Sequence, residues 1–142
     1  MNPRQARLCE IADCYRLDLV YSFGSRGNEV KDFLSIIGEL DKSIPSDVDI
    51  AVKLHQDQPA LSVKDKVKLA IDLEELFGLG PVDLVILSEA DPFLAANVVR
   101  GERLFFRHAH LADEYELYIL RRAGDLAPLE LERLSMIFTK AV

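Results

Sequence analysis

Short apolar runs alternate along this chain with longer segments of helical periodicity. Apolar runs bounded by turn residues predict strands, here Leu19–Phe23, Val48–Leu54, Val82–Leu87 and, at the sheet edge, Leu104–Phe106. Apolar residues spaced by three and four predict helices, here Pro3–Leu17, Val30–Leu40, Val63–Phe77, His108–Arg122 and Pro128–Lys140, with Gly124 separating the last two. The sequence therefore predicts an α/β (α+β) fold, a small mixed sheet flanked by helices with C-terminal helices after it.

Capping residues mark the ends of two of these helices. Ser62 is placed to cap the helix that begins at Val63, and Gly78 is placed to end it. Asp91 precedes Pro92, a residue favoured at the first helical position, and predicts a further short helix that Gly101 ends.

Three carboxylates lie at two of the predicted strands. Asp47 and Asp49 open the second strand two residues apart, and Asp83 lies in the third. Because side chains alternate along a strand, Asp47 and Asp49 share one face, opposite to the apolar residues of that strand. An acid inside a buried strand is costly unless it is paired, hydrogen-bonded or bound to a cation. The pattern therefore indicates a divalent metal site, and Mg²⁺ prefers such oxygen ligands.

A turn after the first strand adds a candidate phosphate site. Backbone N–H groups at a Gly–Ser turn that leads into a helix can bind phosphate, because they point outward at an electropositive helix end. Gly24 and Ser25 form this turn, and Arg26 adds a candidate charged contact. Asp47 and Asp49 are placed to hold metal ions, and Asp83 is placed to ligate metal and to accept a proton. Together with the turn, these residues fit nucleotidyl transfer to a hydroxyl.

Length and composition restrict the other classes of function. A chain of 142 residues with 49% hydrophobic residues predicts one domain, 1–142, with a real core. No apolar stretch approaches the roughly 20 residues of a membrane span, and the first residues lack a signal-peptide pattern, which predicts a cytoplasmic protein without membrane contact. Cys9 and Cys14 are expected to be free thiols. The net charge of −7 argues against a long nucleic acid as partner.

The motifs together resemble the nucleotidyltransferase superfamily related to polymerase beta, and most closely its minimal nucleotidyltransferases of the MNT type. The matching motifs are the Gly24–Ser25 turn, the segment Ser46–Asp49, the segment Val82–Val85 and the ending Arg100–Phe105. The resemblance covers a catalytic core of about residues 15–106 and leaves 107–142 as a C-terminal helical extension. It implies catalytic and metal-binding roles for the three acids, and ATP as the nucleotide donor with Mg²⁺.

The resemblance also implies a partner. Proteins of the MNT type commonly act as antitoxins of a separate, helical HEPN-type toxin, and neutralise it by moving AMP from ATP onto a toxin tyrosine. Two alternatives stay open: a non-catalytic antitoxin that neutralises its partner by complex formation, and nucleotidyl transfer to a small molecule.

The apolar stripe of the last predicted helix has two interpretations. Such stripes usually belong to the core, but a terminal amphipathic helix is also typical of an interface with a partner or within a homo-oligomer. The stripe consists of Leu131, Leu134, Ile137 and Phe138.

Overall fold

The sheet and helices of this chain follow the predicted order. In a computed structural model, the described residues are 1–36, 47–78 and 80–140, with side chains described up to Ile137 in the last segment. Their elements are α1 (Pro3–Tyr15), β1 (Leu17–Phe23), α2 (Gly27–Leu34), β2 (Val48–Leu54), α3 (Val63–Phe77), β3 (Val82–Ile86), α4 (Pro92–Val99), β4 (Glu102–Phe106) and α5 (Ala109–Lys140).

The strands form one mixed sheet, as predicted. Its order is β3-β2-β1-β4, so β4 lies at an edge. β1 runs antiparallel to both β2 and β4, whereas β2 and β3 are parallel. The C-terminal end of β1 therefore lies at the same end of the sheet as the N-terminal ends of the other three strands. Asp49, Asp83 and the Gly24 turn all belong to this end.

Helices cover both faces of the sheet, which confirms the predicted architecture. Alternate residues of β2 divide between two cores: Val48, Ile50 and Val52 face α1, α2 and α3, and Ala51 faces α4 and α5. Asp49 shares the face of Ala51, away from the larger apolar cluster.

Capping residues begin α3 and α4 as the sequence predicts. The Ser62 hydroxyl accepts a hydrogen bond from the Asp65 backbone N–H at 3.1 Å. The Asp91 carboxylate accepts from the backbone N–H groups of Phe93 and Leu94. Each cap satisfies donors that the first helical turn leaves without a partner.

The second helix differs from its prediction at both ends. α2 begins at Gly27, earlier than Val30, and the Ser22 hydroxyl donates to the Gly27 carbonyl at 2.8 Å, which fastens this end to β1. It ends at Leu34 rather than Leu40, because the chain turns at Ser35 and Ile36 has a φ of 56°. The predicted continuation through residues 37–40 lies outside the described residues.

The C-terminal region is one helix, and the prediction of two helices separated by Gly124 was wrong. α5 passes through both Gly124 and Pro128. A proline inside a helix clashes with the carbonyl group four residues earlier. Here that residue is Gly124, and the helix nevertheless continues through both positions.

The C-terminal half of α5 leaves the core. Ala123 is the last buried residue of the helix among those described, and Leu131, Leu134 and Ile137 are 69%, 36% and 49% exposed. The interpretation of this stripe as core was therefore wrong for these three residues, and the side chain of Phe138 lies outside the described part. None of the described helices combines the length and hydropathy needed to cross a bilayer.

The N-terminal half of α5 is tied to the sheet by a polar network. The Arg103 guanidinium on β4 forms ion pairs with Glu116 at 2.7 Å and with Asp113 at 2.9 Å. The buried Tyr21 hydroxyl on β1 donates to the same Glu116 carboxylate. Burial and this carboxylate raise the pKa of Tyr21, so the phenol stays a neutral donor.

The continuity of α5 leads to a test at Gly124. Alanine there should raise the free energy of unfolding by about 0.5–1 kcal/mol, because glycine in a helix interior loses more backbone entropy. A Cβ at this position would meet no atom of the described residues within 4 Å. Urea unfolding followed by circular dichroism measures the change, and a loss of stability would contradict a continuous helix through this residue.

Candidate active site

Two carboxylates meet where β2 and β3 run side by side. Asp49 and Asp83 are directly opposite partners in the parallel register of these strands. Asp47 immediately precedes β2 and is exposed, as is Asp83, whereas Asp49 is partly buried. The structure therefore brings Asp49 and Asp83 together, with Asp47 close enough to act on the charge of Asp49.

The crowding of these acids raises the pKa of Asp49. Burial is the largest cause, followed by the charge of Asp83, a hydrogen bond with Asp83 and the charge of Asp47. Each of these effects disfavours a second negative charge in the site. A cation placed among the carboxylates would reverse the effect of the neighbouring charges.

The donor atoms fit a hard divalent cation. All three side chains offer carboxylate oxygens, the ligand type that Mg²⁺ prefers. Among the described residues, no three His, Cys, Asp or Glu side chains converge closely enough to enclose a single ion. The close pair of candidate ligands is thus Asp49 and Asp83, and the metal-binding roles of Asp47, Asp49 and Asp83 all stay predictions.

The Gly24 turn lies on the other side of Asp49. Phe23, the last residue of β1, is the register partner of Asp49, and Gly24 follows with a φ of 74°. A Cβ at Gly24 would overlap the Asp49 carboxylate oxygen Oδ2 and lie 3.4 Å from Cγ. Glycine is favoured here by the left-handed backbone, and a larger residue would also have to displace the Asp49 carboxylate.

The effect of the Asp49 carboxylate can be separated from backbone strain by comparing alanine substitutions at Gly24 and Gly78. Gly24→Ala should lower the melting temperature more than Gly78→Ala. Both positions have left-handed φ values, 74° and 73°, but among the described residues only Gly24 has a neighbour that a Cβ would meet. Backbone strain alone costs roughly 1–2 kcal/mol. Thermal unfolding of both variants measures the excess, and equal losses would show that the Asp49 carboxylate moves aside freely.

Ser25 and Arg26 are placed differently from one another. Ser25 is exposed in the turn, where its hydroxyl can reach a ligand. Arg26 is only 3% exposed and forms two hydrogen bonds with the Glu29 carboxylate, at 3.0 Å and 2.8 Å. The contact predicted between Arg26 and phosphate stays a prediction, and it would require this ion pair to open.

A groove of about 390 Å³ continues from the Gly24 turn toward β4. It is lined by the ends of β1, α2, α4 and β4, and its polar side chains are Asn28, Asn97, Arg100 and Glu102. No separate role for these four side chains was predicted from the sequence. The signal available for Arg100 was its position in the Arg100–Phe105 ending, immediately before the glycine that leads into the edge strand.

The sequence matches the family model "Polymerase beta, Nucleotidyltransferase" over residues 7–110. This range contains the Gly24 turn, all three acids and the groove. No curated protein matches the sequence.

Solved structures share the fold over nearly the whole chain. A chain of a toxin–antitoxin structure with AMP-PNP is 21% identical with a TM-score of 0.68, covering 97% of this chain and 98% of that one. A chain of the MntA–HepT toxin–antitoxin is 20% identical with a TM-score of 0.64, covering 98% and 97%. A chain from the structure of the tri-AMPylated Shewanella oneidensis HEPN toxin in complex with MNT antitoxin is 22% identical with a TM-score of 0.62, covering 98% of this chain and 97% of that one.

Proposed function

Because this chain belongs to the polymerase beta nucleotidyltransferase family, we propose that it transfers AMP from ATP to a hydroxyl group of a protein, in a reaction that depends on Mg²⁺. The observation that carries this proposal is the pair of facing carboxylates, Asp49 and Asp83, beside the left-handed Gly24 turn. The carboxylates are suited to bind a divalent cation, and the adjacent backbone of the Gly24 turn is suited to bind phosphate.

Each part of the site has a separate task in this reaction. Gly24 and Ser25 bind the triphosphate at the turn. Asp47 and Asp49 would bind the Mg²⁺ that accompanies the nucleotide. Asp83 accepts the proton of the attacking hydroxyl. When bound, Mg²⁺ supplies positive charge that neutralises the triphosphate and its leaving group.

The acceptor that we propose is a separate HEPN-type toxin, which makes this chain an antitoxin. Support comes from chains of the same fold in toxin–antitoxin structures, one of which contains an AMPylated HEPN toxin. The net charge of −7 would favour association with a basic, RNA-binding surface. The exposed apolar residues of the last helix offer area for such a partner to cover.

Intact-mass measurement tests this function directly. A HEPN-type toxin encoded beside this chain, mixed with the protein, ATP and Mg²⁺, should gain one or more units of about 329 Da, the mass of an added AMP group. The same mixture with a chelator in place of Mg²⁺ serves as the control. A toxin that is silenced in full with no gain in mass would favour the non-catalytic binding function instead.

A further inference from the structure

The strand order places the parts of the site in a line. Asp83 is on β3, Asp49 is on β2, and the Gly24 turn is at the end of β1. The groove lined by Asn28, Asn97 and Arg100 lies beyond this turn, next to β4. In phosphoryl transfer the attacking and leaving oxygens lie roughly in line with the phosphorus between them. With the acceptor hydroxyl at Asp83, the leaving group therefore points toward the Gly24 turn and the groove.

The groove contains an arginine side chain, Arg100, that is available to bind an anionic ligand. Arg26 is buried and ion-paired with Glu29. Arg100 is exposed, and its guanidinium makes no hydrogen bond or ion pair with the residues that the structure describes. The acid of the groove, Glu102, forms an ion pair with Lys31 at 3.0 Å. The local charge that remains available to a ligand is therefore that of Arg100.

The backbone that carries Arg100 is fixed to the end of β1. The N–H of Arg100 closes the last turn of α4 by donating to the Ala96 carbonyl at 3.2 Å. The next residue, Gly101, packs so closely that a Cβ there would overlap the Ser22 carbonyl oxygen and lie 3.0 Å from the Val98 oxygen. This contact fixes the base of the Arg100 side chain on the strand that ends in the Gly24 turn.

We propose that Arg100 binds the β- and γ-phosphates of ATP and the pyrophosphate that leaves, with the side-chain amides of Asn28 and Asn97 lining the same groove. This inference rests on the proposed nucleotidyl transfer. In that reaction the acceptor oxygen bonds to the α-phosphorus, and the bond from that phosphorus to the bridging oxygen breaks. Pyrophosphate departs with the electron pair while the hydroxyl proton passes to Asp83. A planar guanidinium is well suited to bind such phosphates through two hydrogen bonds.

Comparison of ATP with AMP separates this role from a role at the base or ribose. Calorimetric titration of Arg100→Gln with each nucleotide and Mg²⁺ should show ATP binding weakened by about 10- to 100-fold. AMP binding should stay within about twofold of wild type, since AMP lacks the phosphates in question. Inorganic pyrophosphate should likewise compete less well for the variant. Arg100→Lys should recover part of the ATP affinity because it keeps the charge.

Arg121→Gln on α5 provides the control with the same change of charge, since Arg121 is exposed and outside this groove. Equal loss of ATP and AMP affinity in Arg100→Gln would overturn the assignment of Arg100 to the leaving phosphates. Unchanged affinity for both would overturn it as well. A wild-type protein that binds no ATP would instead overturn the proposed function on which the inference rests.

Discussion

Replacement of Asp49 by asparagine should abolish AMP transfer and, at the same time, make the metal-free protein more stable. Transfer should fall by on the order of 10³-fold or more, because the variant loses a charge needed to hold the cation while keeping its shape. Stability should rise because burial, and then the neighbouring charges of Asp83 and Asp47, raise the pKa of Asp49 and disfavour its charged form in the folded protein. The expected gain is modest, about 2 °C in melting temperature, since the site is open to solvent on one side.

The effect on stability has a defined pH dependence. Since the pKa of Asp49 is raised in the folded protein, the folded state binds this proton more tightly than the unfolded chain does. The charged carboxylate therefore destabilises the fold at neutral pH, and this effect disappears as the pH falls below the ordinary value of 3.8. Melting curves of wild type and Asp49→Asn should differ most near neutral pH and converge in acid.

A charge-matched control separates this local effect from the change in net charge. Asp57 lies beyond the opposite end of β2, with its side chain 78% exposed. Asp57→Asn should leave transfer and the melting temperature close to wild type. Added Mg²⁺ should raise the melting temperature of wild type more than that of Asp49→Asn, because ligand binding to the folded state stabilises it. An Asp49→Asn variant that melts below wild type without metal would contradict electrostatic crowding at this site.

The sequence was sufficient to predict the end of the sheet where the site lies. β2 has the predicted bounds because alternating apolar residues fix which face of a strand is buried, and this same alternation predicts the face of Asp49. α3 also has its predicted bounds, since Ser62 and Gly78 supply local hydrogen bonds and a left-handed backbone that do not depend on distant residues. In β2 and α3, the local sequence signals and the burial of side chains favour the same element with the same bounds.

Features that depend on distant contacts could not be read from the sequence. Gly124 and Pro128 are ordinary helix-breaking signals, and only the structure shows that α5 passes through both. The burial of Arg26, which is 3% exposed, depends on the packing of the folded chain, whereas its ion-pair partner Glu29 lies only three residues away. The placement of Arg100 beside Gly24 depends on the strand order, which puts β4 next to β1, although Gly24 and Arg100 are 76 positions apart in the chain (100 − 24 = 76).

Asp49 lies between the Gly24 turn and Asp83, and this position suggests that nucleotide binding and catalysis depend on different residues. The Gly24 turn lies on the β1 side of Asp49, and Asp83 lies on the β3 side. A nucleotide held by the turn would therefore have its reacting phosphate near Asp49 and would leave Asp83 on the acceptor side. Binding and chemistry should then respond to different substitutions.

Asp83→Asn should lower kcat by about 10²- to 10⁴-fold, the range for loss of a general base. Affinity for ATP should change by less than about threefold, because the turn and Asp49 remain to hold the triphosphate. Calorimetry with a non-hydrolysable ATP analogue gives the affinity, and intact-mass analysis of the acceptor under saturating ATP gives the rate. Asp57→Asn again provides the charge-matched control.

One outcome would decide against Asp83 as the base, and a second would support it. If nucleotide binding collapses while the rate at saturation stays normal, Asp83 serves to retain the cation and the proton goes elsewhere. If the rate of Asp83→Asn recovers as the pH rises, a hydroxyl that ionises without help replaces the base, and the role of Asp83 is confirmed. The second result is expected because a tyrosine or serine acceptor loses its proton more readily at high pH, and an interaction needed only for proton removal then matters less.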